Sequence, residues 1–159
     1  MSLYETLLFL HVLAAFALVA AVVLYTCVIV ASLDADRPGE VARTLRLVPV
    51  GDALSGLGMV GTLAFGIALA IEVDGYELWD GWIIAALVLW FAAGGTGDRS
   101  SRHYRRARQR AVALAAEGPD EPSAELAALL RSPTALAVHG LLVVLLLLLL
   151  VVMIWKPGA

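Results

Sequence analysis

Along this chain the polar residues crowd into a few short stretches and are almost absent from four long apolar blocks between them. A hydrocarbon layer of ~30 Å takes about 20 helical residues at ~1.5 Å each. Blocks of that length or nearly so run over roughly 3–33, 47–73, 78–95 and 133–155. The pattern predicts an all-α transmembrane four-helix bundle of up-down-up-down order, a single integral membrane domain over 1–159. The first block is longer than a bilayer needs, so it tilts or projects beyond one face.

Helix punctuation sharpens the boundaries. Ser2 followed by Glu5 matches a capping box. Ser132-Pro133 fits an N-cap with proline at the first helical position, and Pro157-Gly158 fits a stop. Gly94, Gly95 and Gly97 are expected to end the third span; no lysine or strand-to-helix setting accompanies them to make a phosphate loop. In the connection 98–131, DRSSRHYRRARQRAVALAAE reads as a helix and PSAELAALLR as a short second one after the GPDEP break.

Composition changes the picture only by making it firmer. The chain is 61% hydrophobic and 16% charged, with a mean hydropathy of +0.88, well beyond a soluble domain. The net charge of -3 says little, because the charges are segregated. One lysine, Lys156, stands among the eleven basic residues, and nucleic acid is not an expected partner. The lone cysteine, Cys27, is expected to be a small buried hydrophobe. The first block lacks a basic n-region and a small-x-small cleavage site, so it is expected to stay in the mature protein.

Charge asymmetry gives an expected direction. The stretch between the first two spans carries Arg37, Arg43 and Arg46, and the loop 98–131 holds seven arginines, whereas 72–80 has four acids and no base. The positive-inside rule places the first and third loops in the cytoplasm and both termini outside, in a bacterial inner membrane. Trp79, Trp82 and Trp155 then gather at the outer interface, where amphipathic rings are favoured. Arg99, Arg102, Arg105, Arg106, Arg108 and Arg110 are candidates for contact with anionic lipid headgroups. The same basic stretch also reads as a solvated extension of the third span, and a protein partner fits it as well.

The candidate chemistry is sorted by depth. His11 falls in the outer half of the first span and His139 in the inner half of the fourth, about 10–15 Å apart by helical rise, so one metal or haem iron cannot join them. At His11's level the nearest sulfur in kind is Met153, which makes a haem b or copper site from that pair chemically reasonable. A satisfied packing histidine is the plainer alternative. At His139's level stand Tyr25, Thr26, Cys27, Asp52 and Ser55, and a His–Asp pair with Tyr nearby can serve as a proton relay or binding patch. Equally, Asp52 can cap its own helix after Pro49 while His139 bonds a facing carbonyl. Gly58, Thr62 and Gly66 recur every four residues, a small-residue stripe suited to internal packing or to a seam with a membrane partner or a second copy. No nucleophile–base pair, paired carboxylates or metal-ligand spacing is present, so no catalytic residue is assigned.

The order LHVLAAF, an arginine-rich loop after the third span and a closing MIWKPG resembles a family of bacterial predicted integral membrane proteins of unknown function with four spans. The likeness covers nearly the whole chain. More distantly, the LHV element is similar to the first span of copper-resistance D proteins and of the membrane protoporphyrinogen oxidase that binds haem through such a histidine. The family resemblance implies fold and location, and the distant one implies a haem-linked position at His11, with no second site of that group matched. Three functions are expected from these readings: an accessory or structural membrane subunit, a haem- or copper-binding redox protein using His11, and a small proton-linked transporter using Asp52 and His139.

Overall fold

The computed structural model describes residues 2–73, 77 and 79–157. Six α-helices follow one another: α1 (Leu3–Ser32), α2 (Pro38–Thr44), α3 (Val48–Glu72), α4 (Gly81–Glu117), α5 (Ala124–Leu130) and α6 (Pro133–Trp155), with a 3-10 turn at Leu45–Leu47 leading into α3. Four of these segments are long and apolar enough to cross a membrane. The expected start of the third span at Leu78, the acid Asp74 and the stop residue Gly158 lie outside the described residues.

Local chemistry explains where the helices begin and end. Ser2 Oγ accepts from the Glu5 N–H at 3.2 Å and Glu5 returns a carboxylate to the Ser2 N–H at 2.8 Å, closing the capping box of α1. Ser132 Oγ accepts from the Ala135 N–H at 3.4 Å at the head of α6, with Pro133 at the first position where no N–H is needed. At the other end of α6, Lys156 adopts the left-handed conformation at φ 40° and Pro157 follows, so the helix cannot continue.

Gly94, Gly95 and Gly97 do not end the third span, contrary to expectation: α4 runs through them unbroken to Glu117. Its 37 residues make a rod of about 55 Å, nearly twice a hydrocarbon layer, so its basic half stands beyond the bilayer. Small residues here serve packing instead. A Cβ on Gly94 would lie 2.8 Å from Met59 Cε on α3.

The spans associate as two antiparallel pairs, α1 with α3 and α4 with α6. Along the first pair the backbones come so close that a Cβ at Gly51 would lie 2.7 Å from Tyr25 Cε2, at Gly58 2.6 Å from Leu18 Cγ and 2.8 Å from its backbone nitrogen, and at Gly61 2.7 Å from Ala14 Cβ. Absent side chains let the helices approach closely, a recurrent way for spans to associate without a hydrophobic drive between them. The small-residue stripe is thus an internal seam: Gly58 faces Leu18, Gly66 faces His11, and Thr62 is buried. Its other expected use, as a seam with a partner or second copy, gives way because α1 already fills that face.

Beyond the spans, the end that carries the arginines closes into a small core. Val41, Leu45, Val48, Tyr104, Ala107, Ala111, Leu126 and Leu130 pack with Tyr25, Val28 and Ile29 of α1. Hydrogen bonds knit the loops over it: the Gly39 N–H donates to Asp120 Oδ1 at 2.8 Å, Arg37 Nη1 to the Asp120 carbonyl at 3.0 Å, and Arg131 Nε to the Leu33 carbonyl at 2.8 Å. Helix α2, which the polar stretch after the first span concealed, supplies Val41 to this core.

The spans' outward faces are apolar, with Phe16, Leu57, Val60 and Phe91 all exposed, as lipid contact requires. Cys27 lies on that exposed surface rather than in the core. Trp79 and Trp155 are exposed at the opposite end from the arginines, whereas Trp82 is buried beneath Lys156, whose Nζ stands 5.3 Å from the ring centroid.

The seam predicts unequal effects for one substitution at two places on α3. Gly58→Ala should destabilise the detergent-solubilised protein by ~1–3 kcal/mol, because the Leu18 backbone cannot retreat. Gly56→Ala, with nothing within 4 Å of the new methyl, should be neutral or stabilising by ~0.5–1 kcal/mol. Thermal unfolding of both variants decides it; equal shifts would contradict the close approach.

Candidate functional site

Where the two helix pairs meet near the arginine-bearing end, α1, α3 and α4 each contribute a polar side chain to one point. Tyr25 comes from the α1 face that also carries Leu18 and Ala21, all buried. Gly51 opposite leaves the space its ring occupies, and the next residue, Asp52, receives its hydroxyl. The Tyr25 O–H donates to Asp52 Oδ1 at 2.6 Å. Ser101 Oγ of α4 donates to the same oxygen. The other carboxylate oxygen faces Arg105 Nε at 3.7 Å. Asp52 therefore does not cap α3, whose N-cap is Leu47 with no side-chain cap bond.

Arg105 is shared. Its Nη2 lies 3.7 Å from Asp98 Oδ1, the same distance that separates its Nε from Asp52, and Asp98 in turn pairs with Arg102. Half of the Arg105 side chain is exposed, so water screens both contacts. The result is a ladder of alternating charge, Asp52, Arg105, Asp98, Arg102, leading from between the spans to the surface.

His139 belongs to the same neighbourhood but does not touch Asp52. Its ring centroid is 6.5 Å from that of Tyr25, and its Nε2 lies 2.9 Å from Thr26 Oγ1. Thr26 donates its one proton to the Val22 carbonyl at 2.8 Å. The histidine must then be the donor, an Nε2–H tautomer. That leaves Nδ1 as a bare lone pair, buried without a hydrogen-bond partner. The partner is a hydroxyl, where a facing carbonyl was the expected alternative.

Above Asp52 a cavity of about 290 Å³ runs up the middle of the bundle, lined by Leu18, Val22, Met59, Leu142 and Leu146 and floored by Tyr25, Asp52, Ser101 and Arg105. This is an apolar chamber with one polar end, near the lower limit of the volumes small ligands occupy.

His11 lies far from this chamber. Its separation from Tyr25 along α1 corresponds to about 21 Å of rise, and Tyr25 is beside His139, so the two histidines cannot share a ligand. The Cε1 and Nδ1 edge of His11 sits in the notch at Gly66, 3.0 and 3.2 Å from where a Cβ would be. Nδ1 is buried; the Thr62 carbonyl approaches the ring without hydrogen-bond geometry. Thr62 itself donates to the Gly58 carbonyl at 2.7 Å and accepts from Trp90 Nε1 at 3.2 Å. Met153 packs against the cluster of Ala70, Trp82 and Ile83, in which Ala70 stands one turn along α3 from Gly66. A haem b at His11 would have Nε2 as its ring ligand, because Nδ1 is buried. Among the described residues no group of three or more His, Cys, Asp or Glu is placed to hold a metal ion.

The remaining arginines divide by partner. Arg110 makes a two-point pair with Glu125, both distances 2.9 Å. Arg108 Nε is buried without a hydrogen-bond partner. Arg99 and Arg106 form no ion pair among the described residues and, with Arg102, line an open groove beside the start of α6.

Ser101 and the inward role of Arg105 escaped the sequence reading. Their signal was present: Asp98, Ser101 and Arg105 are spaced three and four apart, one face of a helix. It was hidden because the arginines of this expected helix, Arg105 among them, read together as contacts for lipid headgroups.

Fold and cavity together define a four-span integral membrane bundle with an apolar cavity between its helix pairs that ends on a carboxylate. The chain belongs to the family described as predicted integral membrane protein (DUF2269), whose model matches residues 5–157. Neither a curated protein nor a solved structure matches the chain.

Asp52 is the common acceptor of the cluster, so its removal strands the Tyr25 and Ser101 hydroxyls and leaves Arg105 with Asp98 alone. Asp52→Ala should lower stability by ~1–3 kcal/mol, and Asp52→Asn, which keeps an acceptor oxygen, by less. Thermal unfolding in detergent reads both. An alanine variant as stable as the parent would show that the cluster contributes nothing.

Proposed function

We propose that the protein binds a small solute in the central cavity and couples its binding to the proton state of Asp52, as a small proton-linked carrier. The observation that carries this reading is the equal standing of Arg105 between two carboxylates at the cavity floor, 3.7 Å from each. When Arg105 swings to Asp98, Asp52 loses its counter-charge and must take up a proton or the positive end of a solute. When Arg105 returns, that proton or solute is released. Ionisable groups within spans are functional by default, because hydrocarbon makes them costly to keep there.

The apolar walls suit a solute with a compact hydrophobic body, and the floor suits a charged or hydrogen-bonding end. His139 lies beside the floor with an open acceptor at Nδ1, positioned to hold a proton next to Tyr25. In the orientation proposed here, the arginine-bearing end faces the cytoplasm of a bacterial inner membrane and both termini face outward. An accessory-subunit role drew on the Gly58–Thr62–Gly66 stripe, and α1 occupies that stripe. A redox role draws on His11 with Met153; His11 sits in the Gly66 notch and Met153 against the Ala70–Trp82–Ile83 cluster.

Tetraethylammonium, a cation with a compact apolar body, is a suitable probe. Proteoliposomes carrying a proton gradient should accumulate it in proportion to the gradient. Asp52→Asn should abolish the gradient-driven part, and His139→Ala should reduce it several-fold. Uptake no greater than in protein-free liposomes, or equal uptake in parent and Asp52→Asn, contradicts the proposal.

A further inference from the structure

A second polar site lies outside the cavity, on the outer surface of the same end of the bundle. An open groove of about 560 Å³ runs between α4 and the first turn of α6, lined by Arg99, Arg102, His103 and Arg106 on one side and by Ser132 and Thr134 on the other. From this geometry we infer that the groove is a binding site for a phosphate group, presented by an anionic lipid headgroup or free in solution.

Three features converge on that chemistry. Arg99 and Arg106 form no ion pair among the described residues, whereas Arg105 and Arg110 do. Unpaired guanidinium groups in one groove are suited to forked recognition of phosphate oxygens. The start of α6 adds the positive end of its helix dipole, with Ser132 Oγ already engaged in capping and Thr134 left at the groove wall. Beneath both, Ser100 is 2% exposed, lines this groove as well as the central cavity, and its Oγ has no hydrogen-bond partner. A buried hydroxyl without a partner costs stability unless a ligand or water completes it.

His103 is set by its neighbours. Its Nε2 donates to the Leu129 carbonyl at 2.9 Å, since a carbonyl only accepts, and its ring meets Tyr104 edge to face at 5.2 Å. The groove also sits where α4 leaves the apolar layer and α6 enters it, which is headgroup level. One acid is close, Asp98, and it is held by Arg102 and Arg105.

Binding of the detergent-solubilised full chain to vesicles of phosphatidylcholine with and without phosphatidylglycerol, and calorimetric titration with inorganic phosphate, separates the two sources. Parent protein should prefer the phosphatidylglycerol vesicles. The double variant Arg99→Gln/Arg106→Gln should lose ten- to thirty-fold of that preference, on the order expected for two arginines at a charged surface. Arg99→Lys/Arg106→Lys, which keeps the charge but not the fork, should fall between parent and the glutamine variant, and Arg110→Gln, outside the groove, should leave the preference unchanged. Saturable phosphate binding that competes with the vesicles assigns the site to a free anion as well; vesicle preference without it assigns the site to lipid. The inference is overturned if neither probe binds, or if Arg110→Gln weakens binding as much as the groove variant does. A thermal midpoint matching the parent in each variant keeps misfolding out of the comparison.

Discussion

The approach of α1 to α3 is the constraint from which the rest of the bundle follows. Where a Cβ would meet Tyr25, Leu18, Ala14 or His11, α3 carries Gly51, Gly58, Gly61 or Gly66. In a membrane, lipid tails are as apolar as leucine, so helices gain from touching only when they fit closely. The fit at Gly51 also has a chemical consequence. It lays the Tyr25 ring against the α3 backbone one residue before Asp52, so the hydroxyl ends 2.6 Å from the carboxylate. A polar cluster between spans is thereby held by a steric feature rather than by charge.

The second helix pair completes what the first prepares. Continuous helix through Gly94, Gly95 and Gly97 carries Asp98, Ser101 and Arg105 inward to the same point, then passes on to Tyr104, Ala107 and Ala111 in the end core. Anchored in that core, the arginine-bearing half of α4 cannot drift from the spans. Its two faces consequently differ: one lines the cavity floor with Asp52, and the other presents Arg99 and Arg106 to the groove at α6.

The four spans were legible because hydrocarbon demands a run of apolar residues that nothing else in the chain imitates. Depth was legible for the same reason, and helical rise alone separates His11 from His139. Facing was not. Cys27 lies two positions after the inward Tyr25 and one before the inward Val28, and falls on the outer surface. Met153 packs against the cluster of Ala70, Trp82 and Ile83. The glycines of α4 misled for a physical reason: glycine weakens a helix in water, where the backbone has other partners, and much less where helical hydrogen bonds are the only ones on offer. Helix α2 was hidden by its short length and by the charges around it, although Val41, Leu45 and Val48 carry helical spacing.

The central claim is that the Gly51 notch positions Tyr25 for Asp52. A double-mutant cycle on thermal stability tests it most directly, with Gly51→Ala, Tyr25→Ala and the pair together. If the notch holds the ring, the methyl at residue 51 harms the parent but not the protein whose ring is already gone, giving a coupling of ~1 kcal/mol or more. Additive effects within ~0.5 kcal/mol would mean that Gly51 and Tyr25 act independently, and the account would fail.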